Sequence, residues 1–387
     1  MKIYGYGKQQ ILPEDIDAVV EVLKSDFLSQ GPKAPEFEQA ICDYTGAKYC
    51  VILSNATAAL HVAMLALDVG EGDEVITTPN TFAASANCVR YAGGTVKFAD
   101  IETDTANIDV AEVEKLITKK TKAIIPVHFA GQSCDMKSLW DLAKKYNLFM
   151  VEDAAHAIGS DYDGAKIGCC RYSDMCVFSF HPVKNITTGE GGAITTNNEA
   201  LYKKLLLLRS HGITKNPAEM KFYEGAWTTE MQCLGYNYRM TDMQAALGIT
   251  QLRRLNDFKA KRRRIANLYD KIFANDDRMH FLVERSNSDA CLHLYPALID
   301  FKKLHIEKRE FFEELKKAGL NLQVHYRPVY LHPYYLDLGY EHGLCLNAEQ
   351  YYEHTISLPI YPDLTDADIE EISGRFAETL NRCIKNA

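Results

Sequence analysis

From residue 49 to about 196, short aliphatic and β-branched runs alternate with stretches whose apolar positions recur at helical spacing. This is the pattern of a mostly parallel sheet covered by helices. It predicts strands at 50–53, 74–77, 95–99, 122–126, 148–152, 175–179 and 193–196, with helices such as 57–67, 83–91, 110–117 and 136–146 between them. Seven such strands make one large α/β domain. Ahead of it, Pro13 sits in a first helical turn and Ile16, Val19, Val20 and Leu23 share one face, predicting an amphipathic helix. Beyond it, 241–274 reads as one long helix. The rest alternates again: strand 292–299, helix 308–318, strand 322–324, helix 347–354, strand 356–358 and a helix from 365. The expected organisation is N-terminal helices and a large domain over 1–245, then a linking helix and a small α+β domain over 246–387.

Composition narrows the picture. The 387 residues are 47% hydrophobic and 25% charged, which supplies a sizeable core and excludes wholesale disorder. A net charge of −9 argues against non-specific nucleic-acid or anionic-membrane binding, so an anionic ligand must find local basic pockets. The basic run KAKRRR at 259–264 accordingly reads as a solvated helix face. The longest uncharged run, 49–67, contains Ser54, Asn55, Thr57 and His61, and reads as strand, turn and buried helix, not as a membrane span. Eleven Cys without a C-x-x-C pair, and twelve His without H-E-x-x-H, predict neither a disulfide framework nor a metal site. Free thiols and a start, MKIYGYGKQQ, without an apolar stretch point to a cytoplasmic protein.

Ligands of open α/β sheets bind outside the carboxyl ends of the strands, so the residues after each strand carry the chemistry. After 50–53 comes Ser54-Asn55-Ala56-Thr57-Ala58-Ala59, a small-residue turn entering a helix. Its free N–H groups and hydroxyls suit a phosphate, although ordinary N-capping would use the same residues. After 148–152 comes Asp153, a carboxylate that needs a cationic partner: a protonated ring nitrogen, or a nearby Lys or Arg. The strand 175–179 ends in Ser179 and leads to Lys184, ahead of a Gly-rich turn. A lysine so placed is set for a lowered pKa and Schiff-base chemistry, though loop lysines are more often simply exposed. Phe82 lies at the same sheet edge, where an aromatic either stacks on a planar ring or joins the core. A phosphate cup, a stacking aromatic, a carboxylate for a ring nitrogen and a Schiff-base lysine, in that order, are the parts pyridoxal 5'-phosphate requires.

These segments, with Leu28-Ser29-Gln30-Gly31-Pro32, Arg209-Ser210-His211-Gly212, Gly235-Tyr236-Asn237-Tyr238-Arg239 and Gln323-Val324-His325-Tyr326-Arg327-Pro328, give the chain its family likeness. Over essentially its whole length it resembles the fold-type-I aminotransferases, and specifically the DegT/DnrJ-type sugar-nucleotide aminotransferases. The resemblance implies that Lys184 carries the cofactor and Asp153 partners its pyridine nitrogen. Ala56, Thr57 and Ser179 would hold the phosphate, Phe82 would stack on the ring, and Asn237 would reach the phosphate from the neighbouring subunit of a homodimer. His156 stands where many members have Gln beside the ring hydroxyl. Arg209, Arg239, Tyr326 and Arg327 are candidates for a sugar diphosphate, which calls for planar or point-charge donors, against surface ion pairs as the competing reading. His181, His211 and His325 read as structural.

Within the family, His156 and the segments 293–296, 323–326 and 356–359 resemble the pseudaminic-acid branch. The implied reaction moves an amino group from L-glutamate to C4 of a UDP-linked 4-keto-6-deoxy-N-acetyl sugar, Lys184 shuttling the proton. Family members that deoxygenate sugars are implied to carry His at the position of Lys184. A cofactor-binding sensor would need a separate DNA-binding domain, for which the chain has no spare segment.

Overall fold

The computed structural model describes residues 2–385. All seven predicted strands form one sheet: β1 (Tyr49–Leu53), β2 (Glu74–Thr77), β3 (Thr95–Phe98), β4 (Thr121–Ile125), β5 (Phe149–Asp153), β6 (Met175–Ser179) and β7 (Gly192–Thr196). Their spatial order is β1-β7-β6-β5-β4-β2-β3. Only β7 runs antiparallel, to both of its neighbours; the other pairings are parallel. Alternate residues of each strand enter different cores, Val51 and Leu53 on one face, Cys50 and Ile52 on the other. Helices cover both faces, as buried strands require.

The amphipathic helix α1 (Pro13–Leu23) forms as expected, its start fixed by Asp15, whose carboxylate accepts the Leu12 N–H at 2.9 Å. The helix α2 (Lys33–Thr45) follows, and α3 (Ala56–Ala66), α4 (Ala84–Tyr91), α5 (Val110–Leu116) and α6 (Met136–Tyr146) match the predicted segments within one residue. A further helix, α7 (Glu199–Arg209), packs beside α3.

Beyond the sheet, two expectations for the linking segment fail. The long helix of 241–274 is two helices, α8 (Asp242–Arg253) and α9 (Leu255–Phe273), because Arg254 leaves helical geometry at φ −101°, ψ 2°. The break lets α8 pack on α1 and α2 while α9 enters the small domain. The basic run is not a solvated face. Arg262 is 1% exposed and donates to the carbonyls of Leu292 (3.1 Å) and Ile360 (2.8 Å). Lys259 pairs with Asp161, Arg263 with Glu284 and Arg264 with Asp366, so the run is a strut between the two bodies.

The small domain contains a three-stranded antiparallel sheet, β8 (Met279–Phe281), β9 (Tyr295–Ile299) and β10 (Thr355–Leu358), with helices α10 (Lys308–Lys317), α11 (Leu346–His354) and α12 (Asp366–Arg382). The strand expected at 322–324 is displaced to Leu320–Asn321, which pairs with Tyr4–Gly5. Tyr4 is buried in this small-domain core, so the first residues of the chain belong to its last body. Among the described residues no helix is long and apolar enough to cross a membrane.

Candidate active site

The sheet register assembles the site. Gly192 at the start of β7 pairs with Leu53 of β1 on one side and Ser179 of β6 on the other, so the turn after β1 and the end of β6 meet across a glycine. A Cβ on Gly192 would lie 2.7 Å from the Ala56 nitrogen, a distance real side chains do not adopt. The missing side chain leaves a cradle beside Asn55 and Ala56, with Ser179 paired to the same glycine. Asn55 caps α3 by accepting the Ala58 N–H at 2.8 Å. The first N–H groups of the helix, those of Ala56 and Thr57, have no intrahelical partner and face an anion with the positive end of the helix dipole.

Two strands away, Asp153 closes β5 and is 3% exposed. It accepts the Ser85 hydroxyl at 2.6 Å and the Ala155 N–H at 3.1 Å. Burial pushes its pKa up, against the lowering effect of these bonds and of nearby Lys184. A protonated ring nitrogen would stabilise the ionised form in the same way. Behind it, Glu152 bonds His128 at 2.7 Å and Ser173, a separate buried group that anchors the strand.

Lys184 lies in the turn after β6, its N–H donating to the His181 carbonyl at 2.9 Å. The neighbouring Asn185 amide donates to the carbonyls of His156, Ile158 and Cys291, which fixes the loop against both bodies. Burial lowers the Lys184 amine to about 8, with Asp153 acting in the opposite direction. The amine is therefore largely neutral at mildly alkaline pH, as Schiff-base chemistry requires.

His156 is buried, and its Nε2 lies 3.1 Å from the Tyr326 hydroxyl. Its Nδ1 has no partner, an orphaned buried polar atom. Tyr326 is held in turn by the Asn80 side chain, which accepts its N–H at 3.2 Å. Phe82, two residues beyond Asn80, is 63% exposed, so it is not a core aromatic. The residues thus fit pyridoxal phosphate: an anion cradle that a side chain would fill, a buried carboxylate for a ring nitrogen, an unpartnered histidine nitrogen, an uncovered aromatic and a low-pKa amine.

The diphosphate candidates separate. Arg209 pairs with Glu38 and with the Ile52 carbonyl, so its guanidinium is committed to tying α7 to α2 and β1. Arg327 is exposed and donates to the Leu331 carbonyl at 2.8 Å. Arg239 is partly exposed, and Asn237 is exposed in a segment bridged to Ser210. Of the three structural histidines, His325 bonds Ser357 at 2.8 Å with its pKa lowered to about 3 by burial. His181 and His211 are exposed. One residue of the site opens the 293–296 segment of the branch likeness but carries no site role there: His293, whose Nε2 is 3.5 Å from the Lys184 amine. It lies 109 residues away in the chain, and no spacing announces it.

Comparison with known proteins places this geometry. The chain is 41% identical over 383 residues to the UDP-4-amino-4,6-dideoxy-N-acetyl-beta-L-altrosamine transaminase of Campylobacter jejuni serotype O:23/36, covering 98% of each. The solved structure of Helicobacter pylori PseC, an aminotransferase involved in the biosynthesis of pseudoaminic acid, superposes with a TM-score of 0.91 at 35% identity, over 98% of this chain and 100% of that one. The PLP form of Spr1654 from Streptococcus pneumoniae gives 0.90 at 33% identity, over 98% and 99%. Residues 9–377 match the pattern of one family. With Lys184 and Asp153 standing at the sheet edge that this pattern spans, the chain belongs to the DegT/DnrJ/EryC1/StrS aminotransferase family and is a pyridoxal phosphate-dependent enzyme.

Proposed function

We propose that the protein transfers an amino group from L-glutamate to C4 of a UDP-linked 4-keto-6-deoxy-N-acetylhexosamine, in the cytoplasm and as a homodimer. The observation that carries this reading is full-length similarity to the Campylobacter and Helicobacter enzymes, combined with a complete lysine and carboxylate pair in this chain. Pyridoxal phosphate supplies the electron sink through which an amine is exchanged between donor and acceptor.

The chain's own residues do the rest. Ala56 and Thr57 offer backbone N–H groups to the phosphate, and Ser179 a hydroxyl across Gly192. Asp153, held by Ser85 and Ala155, keeps a proton on the ring nitrogen. His156 turns its free Nδ1 to the ring hydroxyl, and Phe82 covers a ring face. The Nζ of Lys184, its pKa lowered to about 8, takes a proton from the donor carbon and returns it to the acceptor carbon. Asn237 completes the phosphate site of the partner subunit, and Arg239, Tyr326 and Arg327 meet the nucleotide sugar. Arg209 acts on this site only through the fold, because Glu38 occupies its guanidinium.

Incubation with L-glutamate and a panel of UDP- and dTDP-linked ketosugars tests the proposal, with product stereochemistry read by NMR. A C4 amine on the UDP-N-acetyl ketosugar is expected; turnover of dTDP sugars alone would overturn the substrate assignment. Lys184→Ala is expected to abolish both turnover and the visible absorbance of the loaded enzyme, and retention of either would remove Lys184 from its role.

A further inference from the structure

Resting on Lys184 as the cofactor lysine, we propose that His293 is a positioning residue: its Nε2–H donates to the neutral Lys184 amine and fixes where the amine nitrogen stands. The segment carrying His293 comes from the small domain but is seated on the large one. The His293 N–H donates to the Ala130 carbonyl at 2.8 Å. A Cβ on Gly131 would lie 2.4 Å from the Cys291 carbonyl oxygen, so the two backbones touch. Arg262 holds the segment from the other side through the Leu292 carbonyl, and the Asn185 amide reaches the Cys291 carbonyl from the lysine loop itself.

The tautomer follows from what the ring does not touch. His293 is 3% exposed, its Nδ1 has no partner, and its ring packs 4.5 Å from that of His156. A buried N–H without an acceptor costs more than a bare nitrogen lone pair. The proton therefore belongs on Nε2, 3.5 Å from Lys184 Nζ. A protonated amine would need that nitrogen as an acceptor and would push the proton onto the orphaned Nδ1. A neutral amine, whose lone pair accepts the Nε2–H, satisfies both residues at once. At 3.5 Å the contact lies at the long end for a hydrogen bond. The charged and titratable groups facing the ring are Lys184, His156, Arg262 and His325, with no carboxylate among them, and all of them oppose a positive charge on the ring.

Two measurements on the cofactor-free protein test this. Imidazole nitrogen NMR is expected to show His293 as the neutral Nε2–H tautomer at about pH 9, above the Lys184 pKa of about 8; an Nδ1–H tautomer or a protonated ring at that pH overturns the proposal. Stopped-flow capture of pyridoxal phosphate is expected to survive in His293→Gln, which keeps a donor near Nε2, and to slow about tenfold or more in His293→Phe, a loss of one hydrogen bond's worth of alignment. Equal rates in both variants, fast or slow, would reduce His293 to packing. Should His293→Phe fail to fold, the NMR result on the unaltered chain still decides. Neither readout involves glutamate or a sugar, so a failure of the proposed transamination is seen separately.

Discussion

An amine attacks a carbonyl carbon only after losing its proton, and burial brings that loss within reach at Lys184. Its pKa of about 8 lies below the ordinary 10.5. Between those values the unfolded chain holds a proton that the folded chain does not, so the stability of the cofactor-free protein gains from this residue as pH rises from about 8 to 10.5. Below about 8 both states are protonated and the full burial penalty stands. Urea midpoints of the wild type and Lys184→Met across this window should converge as pH rises; a constant difference would mean that the amine is not desolvated. Lys184 and Asp153 were legible in the sequence because each follows an apolar strand. His293 and Arg262 were not. Both are defined by what reaches them across the chain, and Arg262 in particular lies hidden inside a basic run that looks solvated.

At the level of elements, the phosphate cradle depends on a single strand, β7, paired on both sides. Gly192 holds β7 against the turn into α3, and Gly192→Ala must displace the backbone of Asn55 and Ala56. Overpacking of this kind typically costs about 1–3 kcal/mol. The cradle is the part that moves, so cofactor affinity is expected to fall at least about tenfold, as measured by titration of the cofactor-free variant, while Gly374→Ala on the exposed side of α12 changes nothing. The strands were readable because parallel, two-sided burial leaves short aliphatic runs between turn residues. The break at Arg254 was not, since neither Gly nor Pro marks it. It follows from ion pairs of Arg254 with Glu14 and Asp15, more than two hundred residues earlier.

For the whole molecule, the segment around Asn237 matters most. Phe222 (75% exposed), Trp227 (77%) and Leu234 (76%) stand uncovered between α7 and α8. Apolar side chains so exposed in one stretch mark an interaction surface, which agrees with Asn237 serving a partner's site. Mixing inactive Lys184→Ala and Asn237→Asp subunits tests that sharing. In a symmetric dimer each hybrid regains one intact site, so random reassortment should restore about a quarter of wild-type activity; no recovery would place Asn237 outside the partner's site.

The strand order carries one more consequence, for synthesis of the chain. β1 is the first large-sheet strand to be made, yet its only neighbour is β7, the last. Until residue 196 has emerged, β1 and the uncharged helix behind it have no sheet to join, and such long-range pairings are slow and exposed to aggregation. The glycine that shapes the phosphate cradle opens the strand that ends this wait. The phosphate cradle therefore forms late, with the closing of the sheet.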